Sequence, residues 1–396
     1  MQAVSKIFIH SGKEKSIERK HPWVFSGAIF KNEGILQEGD IVQVCNHKGD
    51  HLGYGHCQNG TIAVRMLSFD EVFPDADFFA AKIQSAWNLR DAIGMINNSS
   101  TSIFRLVHGE GDFLPGLIID YYDGNCIIQC HSIGMYCDLE KIKNALIKVI
   151  GTQLKSIYQK SASTLPKEFT AYHGDCFIYG NSDVPVIALE NGNQFFVDWV
   201  TGQKTGFFID QRENRNLLGR FSRGKKVLNT FCYSGGFSVY ALQNEAKLVH
   251  SVDSSSKAIQ LTEANIQLGN FDPEKHKSFV ADTMDFIKEL KEDYDIIILD
   301  PPAFAKHRGA KHNAIQGYKR LNAAAIRQIK KGGIIFTFSC SQLIDKELFT
   351  NTIIAAGIEA KRSVRILEQL HQPADHPINA NHPEGEYLKG LVIQID

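Results

Sequence analysis

Along the last two hundred residues, short apolar runs alternate with stretches of helical periodicity. Lys226–Phe231, Leu248–Asp253, Tyr294–Leu299 and Gly333–Phe338 are each too short, and too rich in β-branched or aromatic residues, for free helices. They predict buried parallel strands in an α/β sheet. The first run passes through Cys232-Tyr233-Ser234-Gly235-Gly236-Phe237 into the helical pattern Ser238–Leu242. The N-terminal third is built differently. Alternating runs at Ile41–Val44 and Thr61–Leu67 are broken at Gly49, Gly53, Gly55 and Gly60, which predicts a small barrel. From Asp77 to Ile96 the residues Phe78, Phe79, Ile83, Trp87 and Ile93 fall at helical spacing; Pro115–Tyr122 and Cys126–Cys130 then flank Asp123-Gly124-Asn125. The latter pattern predicts a hairpin, and a helix follows near Leu139 to Ile150. No internal repeat or low-complexity segment interrupts the chain.

In an open α/β sheet, ligands bind just beyond the carboxyl ends of the strands, and this is where the polar residues of the C-terminal half gather. Gly235 and Gly236 allow the backbone to approach a bound nucleoside without an intervening Cβ. Their spacing is neither G-x-G-x-x-G nor a P-loop. Asp253 ends the second run about twenty residues after the turn, a position suited to a ribose diol. Asp282, in Val280-Ala281-Asp282-Thr283, ends another short run and is a candidate acceptor for an adenine amino group. Asp300-Pro301-Pro302-Ala303-Phe304 closes the Tyr294–Leu299 run, and Ser339-Cys340-Ser341 closes the next, forty residues later. Singly, each has a plain structural reading. A strand-end Asp is commonly a helix N-cap, a cysteine on an apolar strand is commonly a small buried hydrophobe, and prolines end a ladder. Their joint order suggests S-adenosylmethionine rather than NAD.

Those motifs carry a resemblance. Thr201-Gly202-Gln203-Lys204-Thr205-Gly206-Phe207-Phe208-Ile209-Asp210-Gln211-Arg212, the turn Asn229–Phe237, Asp300–Phe304 and Phe338–Ser341 resemble the large-subunit ribosomal RNA cytosine-5 methyltransferase I family. So do His21–Gly27, Ala374–Pro377 and Pro383–Gly390, so that practically the whole chain is covered. The turn reads Tyr-Ser-Gly-Gly where the family often has Tyr-Thr-Gly-Gly, keeping a hydroxyl. The resemblance implies an α/β protein in three parts: a PUA-type RNA-binding β-barrel at 1–72, a linker helix and small central α+β domain at 73–190, and a Rossmann-like class I methyltransferase domain at 191–396. It implies S-adenosyl-L-methionine as cofactor, and large-subunit ribosomal RNA or an assembling ribosomal particle as partner. Enzymes that methylate purine nitrogens share the Asp-Pro-Pro type of motif, so Cys340 is what selects cytosine C5.

The chemistry agrees. Cytosine C5 is a weak nucleophile until a thiolate adds at C6. Cys340 is the candidate thiolate, and Asp300 the candidate for contacting N3 and the exocyclic amine, with a pKa that would need raising. Candidate cofactor contacts are Asn229, Phe231, Ser234, Gly235, Gly236 and Phe237 in the turn, Asp253, Asp282 and Thr283 at strand ends, and Asp210, Gln211 and Arg212 upstream. In that upstream segment Lys204, Thr205 and Gly206 with Asp210–Arg212 are read as folding over the methionine end, with Arg212 pairing its carboxylate; a surface salt bridge is the competing reading of Arg212. Candidate substrate contacts are Pro301, Pro302, Phe304, Lys306, Arg308, Lys311, Lys319 and Arg320.

The last five of these matter because the chain has a net charge of −1, awkward for a phosphate-binding protein. Between Lys306 and Arg320 there is no acid at all, which points to a local basic surface. Arg215, Arg220, Arg223, Lys225 and Lys226 form a second cluster, readable either as another phosphate surface or as the charged side of a helix. At 396 residues with 43% hydrophobic content the chain can hold two or three ordinary cores. No apolar run of about eighteen residues and no signal-type N-terminus is present, so a cytoplasmic protein without membrane attachment is expected. Eight cysteines without C-x-x-C pairs, and His371, His376 and His382 among prolines, imply neither a zinc site nor a disulfide framework. Two other functions stay open: a methyltransferase for another RNA base or a small molecule, in which Cys340 merely packs, and an RNA-binding assembly factor with a vestigial cofactor site.

Overall fold

A computed structural model describes residues 4–170, 174–304 and 308–396. The chain divides into two compact units: Met1–Ala188 with Val197–Phe207 and Ala374–Gly385, and Leu189–Phe196 with Phe208–Pro373 and Glu386–Asp396.

The first unit contains two sheets. Six strands form the N-terminal one, in the order Trp23–Phe25, Ile62–Ser68, His51–Cys57, Ile41–Cys45, Lys6–Ile9, Ile29–Glu33. Alternate residues Ile7, Ile9, Val42, Val44, Val64 and Met66 turn inward to a small core, as the two-residue period of the sequence requires. The second sheet has five strands between Ile103 and Gly180, backed by helices Ala76–Ala92 and Leu139–Ile150. Its hairpin turns at Asp123 and Gly124, both with positive φ, the primed geometry that matches strand twist. Asp75 caps the first of these helices by accepting from the Phe78 N–H at 3.0 Å.

Two later segments fold with this unit because buried ions and hydroxyls hold them there. Arg90 lays its guanidinium fork on Asp112, donates to the Asp375 carbonyl at 2.7 Å, and is fully buried. The Asp375 carboxylate accepts from the Arg105 N–H at 2.9 Å. Arg105 is bidentate to Asp120, whose Oδ2 also accepts from the Thr205 hydroxyl at 2.6 Å. Removing one member would leave a charge buried without its partner, which is far more costly than losing a surface pair.

The second unit is built on seven strands: β1 (Lys226–Thr230), β2 (Leu248–Asp253), β3 (His276–Val280), β4 (Ile296–Leu299), β5 (Ile334–Ser339), β6 (Val364–His371) and β7 (Lys389–Ile395). Their spatial order is β3-β2-β1-β4-β5-β7-β6. Strands β1 to β5 pair in parallel, and β7 runs antiparallel between β5 and β6. Every residue of β4 is buried, consistent with a parallel strand covered on both faces. Helix Gly236–Gln243 is clamped to the sheet by polar contacts as well as packing. Asn229 donates to Ser238 at 2.9 Å, Ser238 meets Ser251 at 2.7 Å, and Ser251 meets His276 at 2.8 Å. The chain turns back between β1 and β4, creating the switch point at which such sheets bind ligands.

Candidate functional site

The residues singled out at strand ends lie along the carboxyl edge of this sheet. In register, Thr230 of β1 is opposite Leu299 of β4, and Leu299 is opposite Thr337 of β5. Strands β1, β4 and β5 therefore run out together, releasing Phe231, Asp300 and Cys340 at one edge. The turn after β1 is held in an uncommon conformation: Phe231, Tyr233 and Gly235 have φ of 53°, 46° and 71°. Two non-glycine residues in the left-handed region store strain of about 1–3 kcal/mol each, and the surroundings impose it. The Asp253 carboxylate accepts from the Tyr233 N–H at 3.1 Å and the Ser255 N–H at 2.9 Å. Asn265 donates to the Ser234 carbonyl at 2.8 Å, and Thr262 to the Tyr233 carbonyl at 3.0 Å. A Cβ on Gly235 would lie 2.7 Å from Thr262 Cγ2; glycine is required there for space as well as for φ.

Asp253 is half-buried at the end of β2, so it braces the turn while still reaching solvent. Asp282 is exposed and caps helix Thr283–Lys288 by accepting from the Asp285 N–H at 3.1 Å. It also borders a cavity of about 560 Å³ walled by His250, Phe279, Phe286 and Tyr294. Thr283 is buried. Asn229, Phe237 and Ser234 are buried too, Asn229 facing Ser238 under the following helix.

Upstream, Gln211 and Asp210 are tied to the same edge. Buried Gln211 donates to Asp300 Oδ2 at 3.0 Å and accepts from Asn214 at 2.7 Å, which fixes which amide atom faces the carboxylate. Asp210 Oδ2 accepts from the Tyr387 hydroxyl at 2.6 Å. Arg212 is 1% exposed, with Nε 3.1 Å from Glu213, so it is not the surface bridge that the sequence left open. Thr205 departs from the sequence reading: its hydroxyl is spent on Asp120 and Tyr122, because a buried carboxylate needs every donor within reach.

Around Cys340 the structure adds two groups that sequence reasoning missed. Lys389, opposite Ser339 where β7 begins, is 4% exposed and donates to the Ser341 and Ile344 carbonyls at 2.7 and 2.6 Å. Burial lowers its ammonium to about 8, while Cys340 acts in the opposite direction. Its signal in the sequence was a lone lysine at the head of the apolar run Leu391-Val392-Ile393. Tyr318, on helix Lys311–Gln328, is fully buried. Its hydroxyl lies near Ser339 but outside hydrogen-bond geometry. Burial pushes that phenol up to about 12, with Cys340 and Asp300 pushing the same way. Phe304, 36% exposed, stands 4.7 Å from the Tyr318 ring, and Pro301 is buried whereas Pro302 is exposed.

The basic residues separate. Lys306 lies outside the described residues, and Arg308 begins a short 3-10 turn, Arg308–Ala310. Lys311 and Arg320 are exposed on the helix, whereas Lys319 pairs with Glu359 at 3.2 Å. The second cluster is not a common surface. Arg215 is buried and bidentate to Glu190 at 2.8 and 2.7 Å, Arg223 pairs with Glu245, and Lys226 with Glu292. Helix Arg212–Ser222 turns Arg215 inward and Arg220 outward.

Strand order, strained turn and strand-end acids define a Rossmann-like S-adenosylmethionine-dependent methyltransferase. The model of the S-adenosylmethionine-dependent methyltransferase family matches residues 104–391, and that of the PUA-like domain residues 7–69. Ribosomal RNA large subunit methyltransferase I of Shewanella denitrificans is 38% identical over 399 residues, covering 98% of this chain and 99% of its own. The protein of the same name from Tolumonas auensis is 38% identical over 396 residues, covering 98% of each. The chain belongs to this ribosomal RNA large subunit methyltransferase I family. The crystal structure of SMU.776 complexed with SAH shares the fold at a TM-score of 0.85 and 24% identity, covering 99% of this chain and 100% of that one.

S-adenosylmethionine is the cofactor of such proteins, and the residues present fit it. A glycine turn at the switch point and carboxylates at the ends of β2 and β3 are what a nucleoside with a diol and an amino group requires. Among the described residues no cluster of three or more His, Cys, Asp or Glu is arranged for a metal ion. No helix there is long and apolar enough to cross a membrane.

Proposed function

We propose that this chain methylates C5 of a cytosine in large-subunit ribosomal RNA, free or in an assembling particle, through a transient bond between Cys340 Sγ and C6 of the base. The observation that carries this reading is Cys340 at the open end of β5, one strand from Asp300, with the buried Lys389 ammonium holding the loop behind it. The names of the relatives support the RNA; the thiol supports the carbon.

The cofactor supplies an electrophilic methyl group when bound beside the Gly235 turn. A lysine ammonium near the thiol favours its thiolate, the form that attacks. As the thiolate adds to C6, the C5–C6 double bond opens and its electron pair becomes available at C5. Asp300, to which Gln211 donates, holds the N3 and amino edge of the base in this reading, its proton neutralising charge that builds on N3. Phe304 offers an exposed face to a base taken out of its stack. Once C5 carries the methyl group, a base or water takes its proton, the C5–H electron pair restores the C5–C6 double bond, and the C6–Sγ bond breaks to release Cys340 as thiolate.

RNA carrying 5-fluorocytosine at the target tests this, since fluorine cannot leave as a proton. Wild type should form an adduct that survives denaturation, with Cys340 as the modified residue by mass spectrometry; Cys340→Ala should form none and should transfer no methyl group while binding cofactor within a few-fold of wild type. Undiminished turnover by Cys340→Ala would refute the nucleophile. A methylated nucleoside other than 5-methylcytidine would refute the target atom.

A further inference from the structure

Within the first unit, a cleft of about 420 Å³ opens between the end of the N-terminal sheet, helix Ala76–Ala92 and the turn at Phe113. That is the size of a small-ligand pocket. Its walls alternate aromatic faces with lysines. Lys20 Nζ lies 5.1 Å from the Phe69 ring centre, and Lys82 Nζ lies between Phe78 and Phe113, at 5.4 and 5.2 Å. Asp70 faces Lys20 at 3.8 Å but is itself 81% exposed. Lys82 has no carboxylate within ion-pair distance among the described residues, and burial lowers its ammonium below the ordinary lysine value. Asp70 acts on it in the opposite direction, but from beyond ion-pair distance; an ammonium packed between rings with no directly paired carboxylate is a place for an anion.

Phe113 supplies a second, independent observation. Its ring is 53% exposed, yet its backbone sits at φ 58°, a conformation that a bulky aromatic adopts only under constraint. The neighbouring fold imposes it: the Phe113 N–H donates to the Glu110 carbonyl at 3.2 Å. The strain does not serve core packing, since the ring faces the cleft. Val72 and Phe73, exposed by 54% and 41%, extend the apolar surface in the segment leading to the helix. The amide of Asn381 is exposed at the opposite wall.

We propose that this cleft holds one unstacked nucleotide of single-stranded RNA, its base on Phe113 and its phosphate between Lys20 and Lys82. Aromatic faces with adjacent cations are how sequence-tolerant single-strand sites work. A purely apolar peptide would leave Lys82 buried against nothing, which is why RNA is favoured over protein. The inference rests on the reading that the substrate is RNA, and places a contact for it outside the residues assigned to catalysis.

The test uses the full chain and a fluorescein-labelled twelve-nucleotide mixed-sequence RNA, followed by anisotropy at stepped KCl. Phe113→Asn is the informative variant, because Asn tolerates the left-handed backbone and the fold should be kept. Its affinity should fall about five- to hundred-fold, the range for losing one base stack. Lys20→Ala/Lys82→Ala should weaken binding and flatten the slope of log affinity against log salt by about 0.7 for each phosphate released. Both variants should bind S-adenosylhomocysteine like wild type. With wild-type RNA binding intact, unchanged affinity and salt slope in both variants would overturn the cleft alone. Failure of wild type to bind any RNA would instead overturn the reading of the substrate, and the cleft with it.

Discussion

Lys389 is the residue whose replacement most sharply tests how the site works. Changing it to Met keeps an unbranched, flexible side chain one atom shorter and removes the ammonium. Two carbonyls, Ser341 and Ile344, then lose donors at 2.7 and 2.6 Å. The Ser341 carbonyl still accepts from the Ile344 N–H at 3.1 Å, so the Ile344 carbonyl bears most of the loss, and an unsatisfied buried acceptor costs about 1–3 kcal/mol. Against this, the wild-type ammonium is itself desolvated, as its lowered value of about 8 records, so removing it recovers part of the cost. A net stability loss of about 1–3 kcal/mol at neutral pH is expected. The effect on Cys340 has the opposite origin, because there the charge is what helps. Cys340 and the Lys389 ammonium attract each other, so removing that charge takes support from the thiolate, and the thiol should react more slowly near pH 7. The assay is the rate of Cys340 alkylation by iodoacetamide, followed by peptide mass spectrometry from pH 6 to 10, beside single-turnover methylation. The variant should be slower below pH 8. Above about 8 the wild-type ammonium deprotonates, and the two curves should converge. Stability carries a matching sign. Between about 8 and the ordinary lysine value the unfolded chain binds more protons than the folded one, so wild-type stability should rise with pH there, and in Lys389→Met that rise should vanish. A folded Lys389→Met protein with the wild-type alkylation profile would refute the electrostatic role.

Tyr318→Phe removes a buried hydroxyl that lacks hydrogen-bond geometry; thermal unfolding should show unchanged or slightly higher stability, while kcat on RNA falls and cofactor affinity is kept, and an unchanged kcat would confine Tyr318 to packing. Asp253→Ala takes the brace from the Tyr233 and Ser255 amides and should weaken cofactor binding by about 1–3 kcal/mol by calorimetry, whereas Asp300→Ala should lower the chemical step with little change in that affinity; identical losses in both would refute the division of labour. Arg215→Met strands the Glu190 carboxylate, which is fully buried, and should cost about 3–5 kcal/mol in denaturant unfolding; a loss under about 1 kcal/mol would mean that Glu190 finds water or a proton instead.

Periodicity alone was enough for several elements on this chain. The predicted runs match β1, β2, β4 and β5 to within two residues, and helix Leu139–Ile150 and the Asp123-Gly124 turn match as drawn. Strand and helix patterns are local, written in side chains two or four residues apart, and so are the strand-end motifs around Gly235, Asp253, Asp300 and Cys340. The sequence also carried the order of those motifs, from which the cofactor class follows. Tertiary structure decided which polar groups meet. Lys389 reaches the Cys340 loop across 48 residues, because an antiparallel β7 starts where β5 ends. Gln211 reaches Asp300 across 89 residues. The same long-range pairing ties up Arg215, which the sequence left between a phosphate surface and a helix's charged side, and the hydroxyl of Thr205, which it read in a segment folding over the cofactor, since Glu190 and Asp120, once buried, each need a donor that only a distant segment supplies. Ala374–Gly385 folds with the first unit for that reason too. A buried charge must be met by whatever the fold brings beside it, and no local pattern records which residue that will be.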